Sequence, residues 1–244
     1  VYLNQNGIHL ASCEVGEYLQ YTADKCALFQ KRASGEYYIP NVPKLPEFGK
    51  GNDCSWAAAF TGALQAMGIS TDYTQVMGVS GACYRLAFCI PDWDYSSADG
   101  LAVYDFAEPA YKAFGYNVCF EEHMEKKQRA EVRNRIIENI SENKPVLAIN
   151  LRVAPEWGII CGYKDSGRKL FCRTKYDCEI IDSAEYEADK SNEFDYLPVD
   201  NCPFIISFFT EKHVPPTEKE NLLKSLQILI DCNEQGMVRI CNWS

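Results

Sequence analysis

The hydrophobic period of this 244-residue chain changes near Pro145, and that change limits the folds open to it. Before it, apolar residues recur at helical spacing. Phe60, Ala63, Leu64 and Met67 fall at i, i+3, i+4 and i+7, and Val132, Ile136, Ile137 and Ile140 form a second such stripe. After it come short apolar runs of strand length at 145–151, 157–163, 170–174 and 203–209. The second and third of these flank Lys164-Asp-Ser-Gly167, a hairpin turn. Helices first and strands second predict an α+β fold with an antiparallel sheet, not alternating βα units.

Local signals fill in the rest. A strand is expected over 37–42, after which Pro40, Pro43, Pro46, Gly49 and Gly51 bar regular structure. Asp53 is expected to cap a helix from Cys54 that stops at Gly68. A short helix over 72–77 should end at Gly78, and one over 101–114 should break at Pro109 and stop at Gly115. Residues 129–143 read as a strongly amphipathic helix. Thr217 and Glu220 make a capping box for a last helix with Leu222, Leu223, Leu226, Leu229 and Ile230 on its apolar face. Residues 1–36 read as a lead-in, the end of a preceding region, to a domain spanning 37–244. The abrupt end at Asn242-Trp-Ser244 reads as a chain that continues.

Charge and cysteine usage exclude several function classes. There are 24 basic and 34 acidic residues, a net charge of −10, which argues against a nucleic-acid partner. The basic cluster Lys126, Lys127, Arg129, Arg133 and Arg135 alternates with Glu125, Glu131 and Glu138, as a solvated helix face does. No apolar run nears the roughly 18 residues that span a bilayer, so no membrane partner is expected. The 12 cysteines include no CxxC pair and no matching histidine, so neither a metal nor another cofactor is expected. Many of them lie in apolar runs, as buried thiols of a reduced, cytoplasmic protein would.

One cysteine has a distinctive setting. Cys54 follows a Gly-rich loop and stands at the start of the helix, where unpaired N–H groups and the helix dipole favour a thiolate. Cys161 and Cys172 are mid-strand, and Cys232 lies late in a helix. Spacing alone leaves two roles open for Cys54: a nucleophile, or a small residue in a tight helix start. Trp93 and Asp94, with Arg85 upstream, either line a pocket beside this helix or pack as a loop with an internal Arg–Asp pair. His9, His123 and His213 read as surface histidines.

Asn52-Asp-Cys-Ser-Trp56, opening an Ala-rich helix, resembles the nucleophile region of papain-like cysteine peptidases, above all their bacteriocin-processing branch. Glu156-Trp-Gly-Ile-Ile-Cys-Gly-Tyr163 resembles the strand that carries that branch's catalytic histidine. Met77-Gly-Val-Ser-Gly81 with Tyr84-Arg85 is similar to bacterial papain-like chains, among them the N-terminal domain of the butirosin-biosynthesis acyltransferase. The likeness covers roughly residues 37–235. It implies a papain-like fold with Cys54 as nucleophile, Asp177 as the residue that orients the base, and Glu156 where the family has histidine. Phe48 stands where the family has its oxyanion-hole glutamine. Asp53, Trp56, Arg85, Trp93 and Trp157 are the expected substrate contacts. Two functions follow: a hydrolase or acyltransferase acting on a peptide, amide or carrier-bound thioester, or a degenerate domain that binds a peptide or small molecule, alone or within a larger regulatory or biosynthetic protein.

Overall fold

The computed structural model describes residues 35–84, 86–89, 107–122, 124–125, 127–151, 155–177, 194–196, 203, 205–235 and 238–241. Residues 1–34 of the expected lead-in, with His9, lie outside them, as do Arg85, Trp93, Asp94 and His123. Along the chain come β1 (Tyr37–Tyr38), α1 (Ser55–Ala66), α2 (Tyr73–Ser80), β2 (Leu86–Cys89), α3 (Ala107–Ala113), β3 (Tyr116–Glu122) and α4 (Arg129–Ser141). Then follow β4 (Val146–Ile149), β5 (Trp157–Lys164), β6 (Lys169–Arg173), β7 (Phe194–Tyr196), β8 (Ile205–Lys212), α5 (Glu218–Gln235) and β9 (Val238–Cys241). The fold is α+β, with an antiparallel sheet in the order β3-β8-β4-β5-β6-β7. β1 pairs with the second half of β5, where β4 has ended. β2 and β9 form a separate parallel pair.

Strand alternation divides the core in two. Leu147, Trp157, Ile159, Cys161 and Phe209 point to the face covered by α1, α2 and α3. Val146, Ala148, Ile160, Ile206 and Phe208 point to the other face, against Val132, Ile136 and Ile140 of α4. A register shift between Ile160 and Gly162 turns Tyr163 toward α4, where its hydroxyl meets Ser141 Oγ at 3.1 Å. α1 is buried along Ser55 to Leu64, and its run of alanines lets its backbone lie close to the sheet.

Several boundaries differ from the sequence expectation for identifiable reasons. α2 does not end at Gly78. Ser225 Oγ donates to the Gly78 carbonyl at 2.7 Å, and the helix runs on to Gly81, which takes the left-handed conformation at φ 74°. Of the helix expected over 101–114, residues 101–106 lie outside the described residues; Pro109 does not break α3, which runs through it to Ala113. β3 is not among the strands expected. Thr217 and Glu220 form the capping box, with Thr217 N–H to Glu220 Oε2 at 2.8 Å and Glu220 N–H to Thr217 Oγ1 at 3.3 Å. The helix it opens turns Ser225 and Ile228 inward, whereas Leu222, Leu223, Leu226 and Ile230 are exposed. Ile228 occupies the space that a Cβ on Gly81 would take.

Tyr111 joins α3 to the sheet. It is fully buried, and its hydroxyl lies 3.0 Å from Ser207 Oγ on β8. Burial pushes its phenol far above the ordinary value. A phenol raised in the folded state gives stability that is complete below the unfolded pKa of about 10 and is lost as pH rises from there toward the folded value. Urea midpoints between pH 7 and 11 should therefore fall steeply above about pH 10. Tyr111→Phe should flatten that fall and cost about 1 kcal/mol at pH 7. Equal slopes for the two proteins would count against this assignment.

Candidate active site around Cys54

Four parts of the chain converge on the start of α1. The loop 43–53 leads in, Tyr73 opens α2, Glu156 precedes β5, and Lys175 follows β6. Cys54 itself is the N-cap of α1, extended at φ −71° and ψ 103°, and its carbonyl accepts the Ala58 N–H at 3.0 Å. Asp53 is therefore not the cap, as the sequence suggested. Its Oδ1 instead accepts the Gly49 N–H at 2.6 Å, which closes the Gly-rich loop on itself. Cys54 is half-buried at the edge of the core. Next to it, Ser55 Oγ accepts the Trp157 N–H at 3.3 Å and ties α1 to the first residue of β5. That bond sets Glu156, the residue before Trp157, near the start of α1.

The Cys54 N–H donates to Tyr73 Oη at 3.0 Å. Asp72 fixes Tyr73 by capping α2, accepting the Gln75 N–H at 2.7 Å. Burial pushes the Tyr73 phenol up, with a smaller push from the negative charge at Cys54 and Asp53, so the hydroxyl stays protonated at neutral pH.

Lys175 is the residue that sequence reasoning missed. It is only 1% exposed. Its Nζ donates to the Pro46 carbonyl at 2.9 Å and the Asn52 carbonyl at 2.5 Å. It also lies 4.6 Å from the centre of the Phe48 ring. Burial pushes its ammonium down from the usual lysine range, and Asp53, Glu156 and Cys54, when ionised, push it back up. A signal for it existed in the hairpin: Ile159 pairs with Arg173, and the same register carried two residues further sets Lys175 opposite Trp157.

The other expected residues divide clearly. Phe48, at the expected oxyanion-donor position, is 40% exposed and offers its ring face to Lys175. Trp56 and Trp157 are fully buried, Trp56 stacked on Phe60 with ring centres 5.2 Å apart. Both belong to the core cluster between α1 and the sheet. Asp177 is buried, and its Oδ1 accepts the Thr174 N–H at 3.0 Å and the Thr174 hydroxyl at 3.1 Å. Its Oδ2 lies 3.7 Å from Arg173 Nη1. These bonds close the turn that carries Lys175. His213 follows β8, donating its backbone N–H to the Gly115 carbonyl at 2.7 Å. Among the described residues no cluster of three His, Cys, Asp or Glu side chains could hold a metal ion. No helix among them is long and apolar enough to cross a membrane.

No family model matches this sequence, and neither a curated protein nor a solved structure matches it. The site therefore has to be judged on its own geometry. It holds a half-buried thiol at a helix start, a buried ammonium, two carboxylates and a protonated phenol. Such a set can stabilise a thiolate and receive an electrophile beside it.

Proposed function

We propose that this chain is a divergent papain-like protein that transfers acyl groups through Cys54. The observation that carries the proposal is the convergence of Cys54, at the N-cap of a buried helix, with the Lys175 cation and with Glu156 at the start of β5. The Cys54 thiolate attacks the carbonyl carbon of a peptide, amide or carrier-bound thioester. A carbon–sulfur bond forms, the carbonyl π electrons move to oxygen, and their return expels the leaving group. Water or an acceptor nucleophile then releases the acyl group and restores the thiol. The leaving group has no imidazole in the expected place to protonate it, so the site suits groups that depart as anions, as the thiolate of a thioester does. Glu156 is the nearby proton acceptor for the second nucleophile.

One observation favours a second reading, a binding domain without turnover. The Cys54 N–H, which would face the oxyanion in a papain-like enzyme, is given to Tyr73 Oη. Intact-mass spectrometry separates the two. Incubation with small acyl thioesters and p-nitrophenyl esters should produce a single adduct of the acyl mass, mapped to Cys54, with a burst of one equivalent of leaving group. Cys54→Ala should give neither. A folded protein whose Cys54 alkylates readily yet forms no adduct would favour the binding domain.

A further inference from the structure

Resting on the assignment of Cys54 as nucleophile, we propose that Lys175 is the fixed cation that holds Cys54 as a thiolate, the part an imidazolium would otherwise play. Its direct partners are the Pro46 and Asn52 carbonyl oxygens and the Phe48 ring, all of them without net charge. Among the described residues no carboxylate forms an ion pair with Nζ. The hydrogen bond to Asn52 fixes that charge two residues before Cys54 along the chain. Being almost wholly buried, it is shielded little by water, and its field reaches the groups around it.

Three acidic groups act electrostatically on this charge: Asp53, Glu156 and Cys54. Asp53 is exposed, while Glu156 and Cys54 are half-buried. A carboxylate beside a thiol opposes its ionisation, and a cation in the same cluster reverses that effect. The buried lysine therefore explains how a glutamate can stand at the histidine position without silencing the cysteine. The proton from Cys54 goes to solvent, and Lys175 keeps its own throughout. No bond to Lys175 forms or breaks, so it is a positioning residue and not a base.

The test is the rate of Cys54 alkylation by iodoacetamide from pH 5 to 10, resolved by peptide mapping with Cys83 as an internal reference. Lys175→Gln keeps N–H donors for the two carbonyls but removes the charge. It should slow alkylation about tenfold at pH 6.5 and leave the rate near pH 10 unchanged. Lys175→Arg should restore most of the loss. Asp53→Asn, whose amide oxygen still accepts the Gly49 N–H, should raise the rate at pH 6.5 severalfold. A folded Lys175→Gln protein with the native pH profile would overturn the proposal. If the Lys175 variants do not fold, an unchanged profile in Asp53→Asn overturns it instead. Failure of acyl transfer with the expected alkylation profiles would remove the enzymatic function alone, and acyl adducts with unaltered profiles would remove the role of Lys175 alone.

Discussion

Gly158→Ala should cost about 3 kcal/mol and should damage the site together with the fold. A Cβ at this position would stand 2.6 Å from the Arg173 carbonyl oxygen, 3.0 Å from Leu151 Cδ1 and 3.1 Å from Thr174 Cγ2. The leucine can rotate aside, but the carbonyl belongs to the backbone of β6 and has no such freedom. Relief must come from parting β5 and β6, and the chain leaving β6 carries Thr174, Lys175 and Asp177. The variant should show a lowered urea midpoint and, in the native baseline, slower alkylation of Cys54 at neutral pH. A stability within about 0.5 kcal/mol of the parent would mean that the two strands adjust more easily than their ladder implies.

Phe60→Ala should cost about 3–5 kcal/mol, a large part of the 5–15 kcal/mol that holds a typical domain together. Phe60 is fully buried in α1 and touches four aromatic rings. Its centroid lies 5.2 Å from Trp56, 4.7 Å from Tyr111, 5.9 Å from Phe114 and 5.6 Å from Phe209. These rings come from α1, α3 and β8 and the turn after α3, so one truncation loosens the helix from the layer around it. The cavity cannot close by moving one neighbour, since each ring is held by the others. Chemical denaturation measures the loss, and near-UV circular dichroism should weaken with it. A cost below about 1 kcal/mol would show that the aromatic cluster repacks around the gap.

What was legible in the sequence was what repeats. Phe60, Ala63, Leu64 and Met67 marked α1 because a buried stripe must recur every turn, and the change of period near Pro145 marked the strands β4, β5, β6 and β8. Cys54 was legible because a Gly-rich loop before such a stripe locates a helix start. Tertiary choices were not legible in this way. Asp53 and Cys54 both suit the ground before a helix, and the bond from Gly49 decided between them. The complete burial of the tryptophans at 56 and 157 was not legible either, since each stands next to a polar residue of the site. Lys175 was hidden for another reason. A lysine at the end of an apolar strand normally reaches water, and only the folded loop supplies the carbonyls of Pro46 and Asn52 that let it stay inside. The apolar residues of α5 misled as well, since the inward face is set by Ser225 bonding to Gly78 and Ile228 filling the space beside Gly81.

The order of strands has a consequence for how the chain reaches this state. β8 lies between β3 and β4, yet it is made after both of them. Before residue 205 leaves the ribosome, β3 has no partner among the described strands and β4 has only β5 among them. The half that contains α1, β5 and β6, and with it Cys54, Glu156 and Lys175, can assemble first from nearer contacts. Insertion of β8 then closes the long loop back to β3, an entropically slow step. Refolding should accordingly be biphasic, with protection of Cys54 from alkylation preceding protection of the amides of β3. A chain stopped at residue 200 should expose two bare strand edges and associate with copies of itself.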